Sequence, residues 1–321
     1  MIQLMAKWNN WLGKRMFFVV LSALLIGFNL NLPKSPGITL LGMGLFSYMT
    51  FVTALGTSFK EFLKVMHKPW IPVWMLFLIH AAVPVIAWMV GWIFYPHGHL
   101  IRLGFLIGAC IPVAVTSIIW TSLTEGSIPL SLVVVTLDTL VVPVVLPVFF
   151  FITVGQVLTI DYGDLILRLL LMVTIPSLAG MLINDGTRGR WNGFAQSVGG
   201  LTAKVALFLV ILLNAGMVAS EIHWNGALIK LLLVVLLLVI CGYLTGFAGS
   251  FVVKDRQSGI ISAMIYNVGM RNTGFGALLV ISYFPSAVAL PVILAMLYQQ
   301  PVAAIIAHLY QRRPAKIPAS G

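Results

Sequence analysis

The chain has 321 residues, of which 60% are hydrophobic and only 8% are charged. Soluble domains carry about 25% charged residues, so this composition excludes a soluble enzyme or binding module and indicates a polytopic membrane protein. The formal net charge of +11 is typical of a membrane protein with basic cytoplasmic loops and does not by itself indicate nucleic-acid binding.

The hydropathy pattern predicts ten membrane spans, because a spanning helix needs about 20 mostly apolar residues. The basic, amphiphilic stretch Met1–Arg15 is followed by no small-residue cleavage site, so the next apolar run is interpreted as an uncleaved first span. The predicted spans are Phe17–Leu32, Ile38–Phe59, Trp70–Tyr95, Ile101–Thr124, Ile128–Val154, Leu165–Ile183, Leu201–Ala219, Ala227–Val253, Ile260–Tyr283 and Ala287–Tyr310.

Basic residues are unevenly divided between alternate loops. One side of the membrane receives Lys7, Lys14, Arg15, Lys60, Lys64, Lys68, Arg188, Arg190, Lys204, Lys254, Arg256, Arg312, Arg313 and Lys316. The other side receives Lys34, Arg102, Arg168 and Lys230. This asymmetry predicts an inner-membrane protein with both termini in the cytoplasm, and it favours an even number of spans.

Ten spans divide into two halves of five, residues 1–155 and 156–321. An odd number of spans in each half would make the halves inverted repeats, which is a common transporter arrangement. Pro112 interrupts the fourth span, and glycines interrupt the ninth, at Gly269, Gly274 and Gly276. The predicted fold is therefore an all-α membrane protein with discontinuous helices 4 and 9 crossing at the centre, where a binding site is expected.

The ninth span carries an unusual group of polar residues, Asn267, Arg271, Asn272 and Thr273. A charge at the bilayer centre costs roughly 2.5–3.5 kcal/mol, so it persists where it faces a protein-lined cavity and has a partner. Asn267, Arg271 and Gly274 are spaced at i, i+4 and i+7, so they are predicted to share one helical face. The alternative interpretation is a polar cluster that only holds helices together.

Arg271 and Asp138 are the charged residues that lie inside spans, away from the ends. We therefore predict that they form a charge pair, direct or through one water. His80 lies mid-span in the third helix; alone it would be a structural histidine, but beside this pair it is expected to take part in coupling. Small polar residues also fall on helical faces, with Ser117 and Thr121 on the fourth span and Ser131 and Asp138 on the fifth.

Motifs of common enzymes are absent from the sequence, which contains no GxSxG, HExxH, Walker loop or CxxC. This excludes the best-known hydrolase, zinc and redox sites, and the missing nucleotide-binding segment argues against a primary pump. Any movement of a solute by this protein would then be driven by a gradient. Gln299 and Gln300 in the tenth span are expected to act mainly as hydrogen-bonding contacts between helices.

Two stretches resemble the bile acid:sodium symporter family. Ala109–Ser127 (ACIPVAVTSIIWTSLTEGS) resembles the family's Cys-Pro, Gly-Gly-Thr-Ala-Ser-Asn and Lys-Gly-Asp signature, and Asn267–Gly274 (NVGMRNTG) resembles Glu-Thr-Gly-Met-Gln-Asn-Ser-Gly without a gap. In length and span count the resemblance covers the whole chain. It implies ten helices in a panel and a core domain, and co-transport of organic anions with two sodium ions.

The chain departs from the family at the implied sodium sites. Ser117 and Ser131 match family ligands, and with Asn267 they are the residual sodium-site positions. Asn267 stands where the family has a glutamate shared by both ions, and Arg271 replaces the glutamine of the second site.

Three further family ligands are changed. Ile118 and Val135 replace an asparagine and a threonine, and a third-span glutamine falls at or beside His80. Because a sodium ion needs several oxygen ligands, these substitutions predict weakened or lost sodium coupling.

The sequence thus predicts a secondary transporter of a small organic anion that works by alternating access. Substrate-binding residues are expected to be Ser117, Thr121, Asn267, Arg271, Asn272 and Thr273, with Asp138, Arg271 and His80 as the coupling group. No cofactor is expected besides a coupling ion, sodium or a proton; the expected partners are the anion and membrane lipid. A family-like sodium symporter, a proton-coupled transporter or antiporter, and a non-transporting receptor of the same fold stay open as alternatives.

Overall fold

A computed structural model of the chain describes residues 2–13, 15–56, 58, 69–154, 161–222, 225–254 and 257–311. These residues form helices joined by short connections, and no β-strand occurs among them, which confirms the predicted all-helical class. Several basic residues used for the predicted orientation lie outside the described residues: Lys14, Lys60, Lys64, Lys68, Arg256, Arg312, Arg313 and Lys316.

Helices of the first half end at residue 154. They are α1 Ile2–Gly13, α2 Met16–Leu30, α3 Pro36–Ala54, α4 Trp70–Phe94, α5 His99–Cys110, α6 Thr116–Leu123 and α7 Ile128–Val154. Helices of the second half are α8 Gly163–Gly186, α9 Asn192–Val218, α10 Gly226–Val252, α11 Ser258–Gly269, α12 Thr273–Tyr283 and α13 Ser286–Gln311. Helix α4 contains one π-helical turn, Leu78–Ala82.

Within the described ranges, seven helices are long and apolar enough to cross a bilayer: α3, α4, α7, α8, α9, α10 and α13. Their mean hydropathy lies between 1.4 and 2.8. Many large apolar side chains on them are exposed, as expected for surfaces that face lipid. The chain is therefore an integral membrane protein. Of the other three predicted spans, the first is the 15-residue helix α2, and the fourth and ninth are each divided into two shorter helices.

Both divided spans break at residues that disfavour a helix. Helix α5 ends at Cys110, just before Pro112, whose ring removes a backbone N–H and clashes with the preceding turn. Helix α11 ends at Gly269, and Met270 follows in an extended conformation. Asn272 then starts α12, since its side-chain oxygen accepts from the N–H of Phe275 at 3.2 Å.

The two unwound segments pair with each other. Val113 and Arg271 form an isolated antiparallel bridge, flanked by hydrogen bonds from Ala114 N to Met270 O at 3.1 Å and from Asn272 N to Pro112 O at 2.7 Å. A backbone that leaves a helix inside a membrane must find other partners for its polar groups. Here each break supplies those partners to the other.

The helices form two groups. Helices α2, α3, α8 and α9 pack on one another, while α4, α5, α10, α11, α12 and α13 pack around the paired segments. Close packing in the second group depends on small residues. A Cβ at Gly246 of α10 would lie 2.5 Å from the carbonyl oxygen of Met264 on α11, so α10 and α11 approach backbone to backbone only because residue 246 has no side chain.

Candidate functional site

Asn267 lies in the last turn of α11 and is fully buried. Its amide nitrogen donates to Ser131 Oγ at 2.6 Å and to the carbonyl of Ala263 at 2.7 Å, and its oxygen accepts from Ser117 Oγ at 3.0 Å. A backbone carbonyl can only accept, so the contact with Ala263 fixes which side of the amide is nitrogen. Both N–H groups of Asn267 are therefore in use, and one of them points at the Ser131 hydroxyl.

Thr121 completes this network, because Ser131 Oγ donates to Thr121 Oγ1 at 3.0 Å. Ser117, Thr121 and Ser131 are fully buried, like Asn267. The three residual sodium-site positions and Thr121 thus form one buried hydrogen-bond network, called the Asn267 network below, which joins α6, α7 and α11.

Asp138 lies on α7 with its carboxylate fully buried. One oxygen, Oδ1, is 2.5 Å from His80 Nε2, and the other, Oδ2, accepts from the backbone N–H of Val113 at 2.5 Å. The histidine comes from the π-helical turn of α4. Asp138 therefore ties α4 to the unwound segment after α5.

Arg271 is 5% exposed and lies in the unwound segment between α11 and α12. Its Nη2 donates to the carbonyl of Ile79 at 3.1 Å, while Nε and Nη1 have no hydrogen-bond partner among the described residues. The ion pairs of the described residues do not include one between Arg271 and Asp138, whose two carboxylate oxygens contact His80 and Val113 instead. The predicted direct contact is thus not formed, and a link through one water stays a prediction.

A cavity of about 360 Å³ lies between the two groups of helices, beside the paired segments. Its polar lining consists of Asn9, Thr50, Thr53, Thr116, Gln196, Lys204, Arg271, Asn272, Thr273, Gln299 and Gln300. Among the described residues, Lys204 and Arg271 are the charged residues of this wall, which contains no aspartate or glutamate. The volume falls in the range of about 300–1,000 Å³ that is typical of small-molecule sites.

Two helices begin at this cavity. Helix α6 begins at Thr116 and α12 begins at Thr273, and both residues line the wall. The first turn of a helix carries partial positive charge and unpaired N–H groups, so it favours anions. A smaller cavity of about 60 Å³ lies beyond the crossing, and Arg271, Thr273 and Gln299 line both spaces. These three residues separate the two cavities.

The six predicted substrate residues divide into two sets. Arg271, Asn272 and Thr273 line the larger cavity. Ser117, Thr121 and Asn267 do not line it and belong to the Asn267 network. The helical face predicted for Asn267, Arg271 and Gly274 does not exist, because the helix ends at Gly269 and Met270 is extended.

Sequence reasoning missed Thr116 and Lys204 as cavity residues, and it predicts Gln299 and Gln300 mainly as hydrogen-bonding contacts between helices. Lys204 was placed near the cytoplasmic end of a span that begins at residue 201. Helix α9 begins at Asn192, so Lys204 lies well inside it, where its Nζ donates to Asn9 Oδ1. Gln300 accepts from Trp120 Nε1 at 2.8 Å, so its side chain both bonds a neighbouring helix and lines the cavity.

An all-helical membrane protein with interrupted helices paired beside an internal cavity has the construction of a transporter rather than an enzyme. Residues 40–254 match the family described as "Sodium Bile acid symporter family". Since this match spans more than half of the chain, the protein belongs to that family of transporters, as its sequence signatures predicted.

Curated relatives agree with this assignment. The chain is 29% identical over 273 residues to the Bacillus subtilis protein named "Uncharacterized protein YbaS", covering 84% of this chain and 88% of that one. It is 27% identical over 256 residues to "Uncharacterized sodium-dependent transporter YocS" of the same organism, covering 79% and 75%. It is 23% identical over 276 residues to "Probable sodium/metabolite cotransporter BASS2, chloroplastic" of Oryza sativa subsp. japonica, covering 83% and 64%.

Proposed function

We propose that the protein is a secondary active transporter that carries a small organic anion by alternating access, with sodium coupling weakened or lost relative to its family. The observation that carries this proposal is the cavity beside the crossing. Its wall combines the charges of Lys204 and Arg271 with the first turns of α6 and α12, and no acidic residue among the described ones offsets them. Such a wall favours a negatively charged solute.

The proposed arrangement has ten membrane helices in two five-helix inverted repeats, residues 1–155 and 156–321. The seven long helices, α2 and the two divided helices α5/α6 and α11/α12 are consistent with this number. The two groups of helices on either side of the cavity would then be the panel and core domains. The Lys and Arg distribution in the sequence supports cytoplasmic termini.

Weakened sodium coupling at the first site is supported by the amide of Asn267. A sodium ion there would need the oxygens of Ser117 and Ser131, but Asn267 directs an N–H group at Ser131 and accepts the Ser117 hydroxyl itself. Ile118 and Val135 add no oxygen, and they lie in or against an apolar cluster. The donor set is therefore a poor fit for a hard cation, which prefers a cage of carboxylate and carbonyl oxygens.

Weakened coupling at the second site is supported by the charge of Arg271. Two like charges about 4 Å apart repel by roughly 4 kcal/mol at an effective dielectric constant of 20. A guanidinium does not lose its proton at physiological pH, so a sodium ion would face this repulsion permanently.

Sodium-coupled symport is the second candidate, and the family membership favours it. The names of two relatives specify a sodium-dependent transporter and a sodium/metabolite cotransporter. Backbone carbonyls freed by the helix breaks are also ligands for sodium, and substitutions of side chains do not remove them. Ion dependence of uptake separates the two candidates.

The decisive experiment measures uptake of radiolabelled acetate, lactate, benzoate and cholate by the full-length protein in proteoliposomes, with sodium, potassium or choline outside. We expect at least one anion to enter at rates that are equal in sodium and choline. Lys204→Gln should raise the half-saturation concentration several-fold, whereas Lys230→Gln should not, because Lys230 lies over the ring of Tyr95 and away from the cavity. A saturable sodium requirement lost in Ser117→Ala or Ser131→Ala would contradict weakened coupling, and no flux of any anion would favour a receptor.

A further inference from the structure

Three ionisable side chains meet where the unwound segments pair: His80, Asp138 and Arg271. Asp138 is fully buried, Arg271 is 5% exposed, and the His80 side chain retains 14% of its accessible surface. Asp138 contacts His80 at 2.5 Å, and the residue before this histidine, Ile79, accepts a hydrogen bond from Arg271 at 3.1 Å. The three groups therefore form one unit.

The net charge of this unit depends on one proton. When the imidazole is neutral, Arg271 and Asp138 cancel. One additional proton on the His80–Asp138 pair raises the sum to a single positive charge, whether that proton is on Nε2 or on Oδ1. An uncompensated charge in a buried site is strongly disfavoured, and an anion beside it restores neutrality. Arg271 lines the wall of the larger cavity, so an anion in that cavity is in position to do this.

We propose that the His80–Asp138 pair binds the coupling proton of this transporter, and that the proton and the organic anion bind together. The proton removes the counter-charge of Arg271, and the anion replaces it. This inference rests on the proposed function and specifies its coupling ion. The proton moves between water and the pair, and no other bond is made or broken.

Few other charges act on the pair. Arg271 is the charged group that faces it, and the thiol of Cys110, at the end of α5, is the other titratable group close to Arg271. Other titratable groups on the described elements around α4, α7 and the unwound segments have partners elsewhere, among them His99, Arg102, Asp164, Arg168, Lys230, Tyr243 and Tyr266. Cys241, midway along α10, lines the smaller cavity with Arg271. The charge of the unit is thus set by His80, Asp138 and Arg271.

The two side chains of the pair differ in exposure. Asp138 has no accessible surface, whereas the His80 side chain keeps 14% of its own, and its Nδ1 is buried without a hydrogen-bond partner among the described residues. Asp138 also accepts the N–H of Val113, the residue paired with Arg271. A change of charge on the pair therefore acts directly on the crossing.

Thermodynamic linkage makes the coupling between proton and anion measurable from the binding of either one. If the anion binds best to the protonated unit, the proton also binds best to the anion-loaded protein, by the same factor. The dissociation constant of the anion should then fall by up to about tenfold for each unit that the pH is lowered, and each anion bound should take up about one proton.

The test uses the full-length protein and the same four carboxylates, acetate, lactate, benzoate and cholate. Calorimetry in two buffers of different ionisation enthalpy, between pH 6 and 8, gives the affinity and the protons taken up. Tighter binding at pH 6 with proton uptake supports the proposal. In proteoliposomes an inward proton gradient should accelerate uptake, and a protonophore should abolish the acceleration.

Two variants should move the affinity in opposite directions. Asp138→Asn leaves Arg271 without a counter-charge at every pH, so anion binding should be tight, independent of pH and without proton uptake. His80→Gln keeps a hydrogen-bond donor beside Asp138 but removes the imidazole, so binding should be weak throughout the range from pH 6 to 8. His308→Gln is the control, since this exposed histidine lies near the end of α13 and should leave the pH dependence unchanged.

Each contrary result has a separate meaning. Binding and uptake that do not change with pH would overturn the proton site and leave the anion transporter standing. Failure of all four carboxylates to bind or enter at any pH would overturn both. Retention of the full pH dependence in His80→Gln would also overturn the pair as the proton site, because the proton would then bind without the imidazole. If Asp138→Asn does not fold, the His80→Gln result alone decides.

Discussion

Val113 and Arg271 pair backbone to backbone, yet the N–H of Val113 points away from its partner and donates to Asp138 at 2.5 Å. The hydrogen bonds that flank the bridge come from Ala114 and Asn272. In an antiparallel pair of this kind the two facing residues direct their own N–H groups outward. Asp138 satisfies the outward N–H of Val113, so its carboxylate is part of the crossing itself.

Substitutions at Asp138 should therefore differ in their effect on stability. Asp138→Ala leaves a buried N–H and a partly buried histidine without their acceptor, and we expect a loss of about 3–5 kcal/mol in the free energy of unfolding. Asp138→Asn keeps an oxygen that can accept from Val113, so its loss should be smaller. Thermal unfolding in detergent, followed by tryptophan fluorescence, shows which of the two variants is less stable. Equal losses would mean that the bond to Val113 contributes nothing.

Double-mutant cycles should reveal which partner of Asp138 matters. We expect His80→Gln and Asp138→Asn to couple by about 0.5–3 kcal/mol, because the two side chains are in direct contact. The cycle of Arg271→Gln with Asp138→Asn should also be non-additive, since removing both charges leaves no isolated charge in the core. Strictly additive losses in the second cycle would show that the two charges do not stabilise each other.

Asn272 and Thr121 provide a matched test of where the substrate binds. Asn272 lines the cavity and caps α12, whereas Thr121 is fully buried in the Asn267 network. Asn272→Leu should reduce anion affinity at least tenfold and destabilise α12 by about 1 kcal/mol through loss of the cap. Thr121→Val should leave affinity within about twofold, although it removes a buried hydrogen bond. A larger effect of Thr121→Val on affinity would move the substrate site to the network.

Close contact between α10 and α11 should make Gly246 intolerant of any side chain. Alanine there would bring its Cβ to 2.5 Å from the Met264 carbonyl oxygen, and overpacking of this kind typically costs about 1–3 kcal/mol. Gly44 of α3 is the control, because a Cβ at that position meets nothing within 4 Å. Gly44→Ala should be neutral or slightly stabilising. Equal melting temperatures for both variants would show that the two helices can separate without loss.

The sequence was sufficient for the class of protein, the approximate positions of seven spans and the two interruptions. Apolar length predicts spans, and Pro112 and the glycines around residue 270 predict breaks, because these signals are local. The charged residues inside spans, Asp138 and Arg271, were found by the same reasoning: a charge in an apolar segment is costly and has to be explained.

Partners could not be predicted in the same way. Which side chain reaches Asp138 depends on how α4 is rotated, and the π-helical turn that presents His80 changes that rotation locally. Thr116 and Ser117 are adjacent, but successive residues on a helix are turned by about 100°. Thr116 therefore lines the cavity while Ser117 faces Asn267. Small shifts in helix start and rotation decide such placements, and apolar periodicity does not resolve them.

Sodium coupling should be recoverable if the substitutions at two positions removed it. Asn267→Glu together with Arg271→Gln restores the residues of the family signature, so a carboxylate replaces the amide beside Ser131 and the permanent positive charge is gone. We expect sodium-stimulated uptake in the double variant and a rise in melting temperature with sodium but not with choline. Asn267→Glu alone should not respond, because Arg271 still places a permanent positive charge at the second site. Arg271→Gln alone should not respond either, because no carboxylate offsets dehydration of the ion. A sodium response already present in the unsubstituted protein, and equal to that of the double variant, would show that the remaining oxygens suffice and that Asn267 and Arg271 do not determine ion choice.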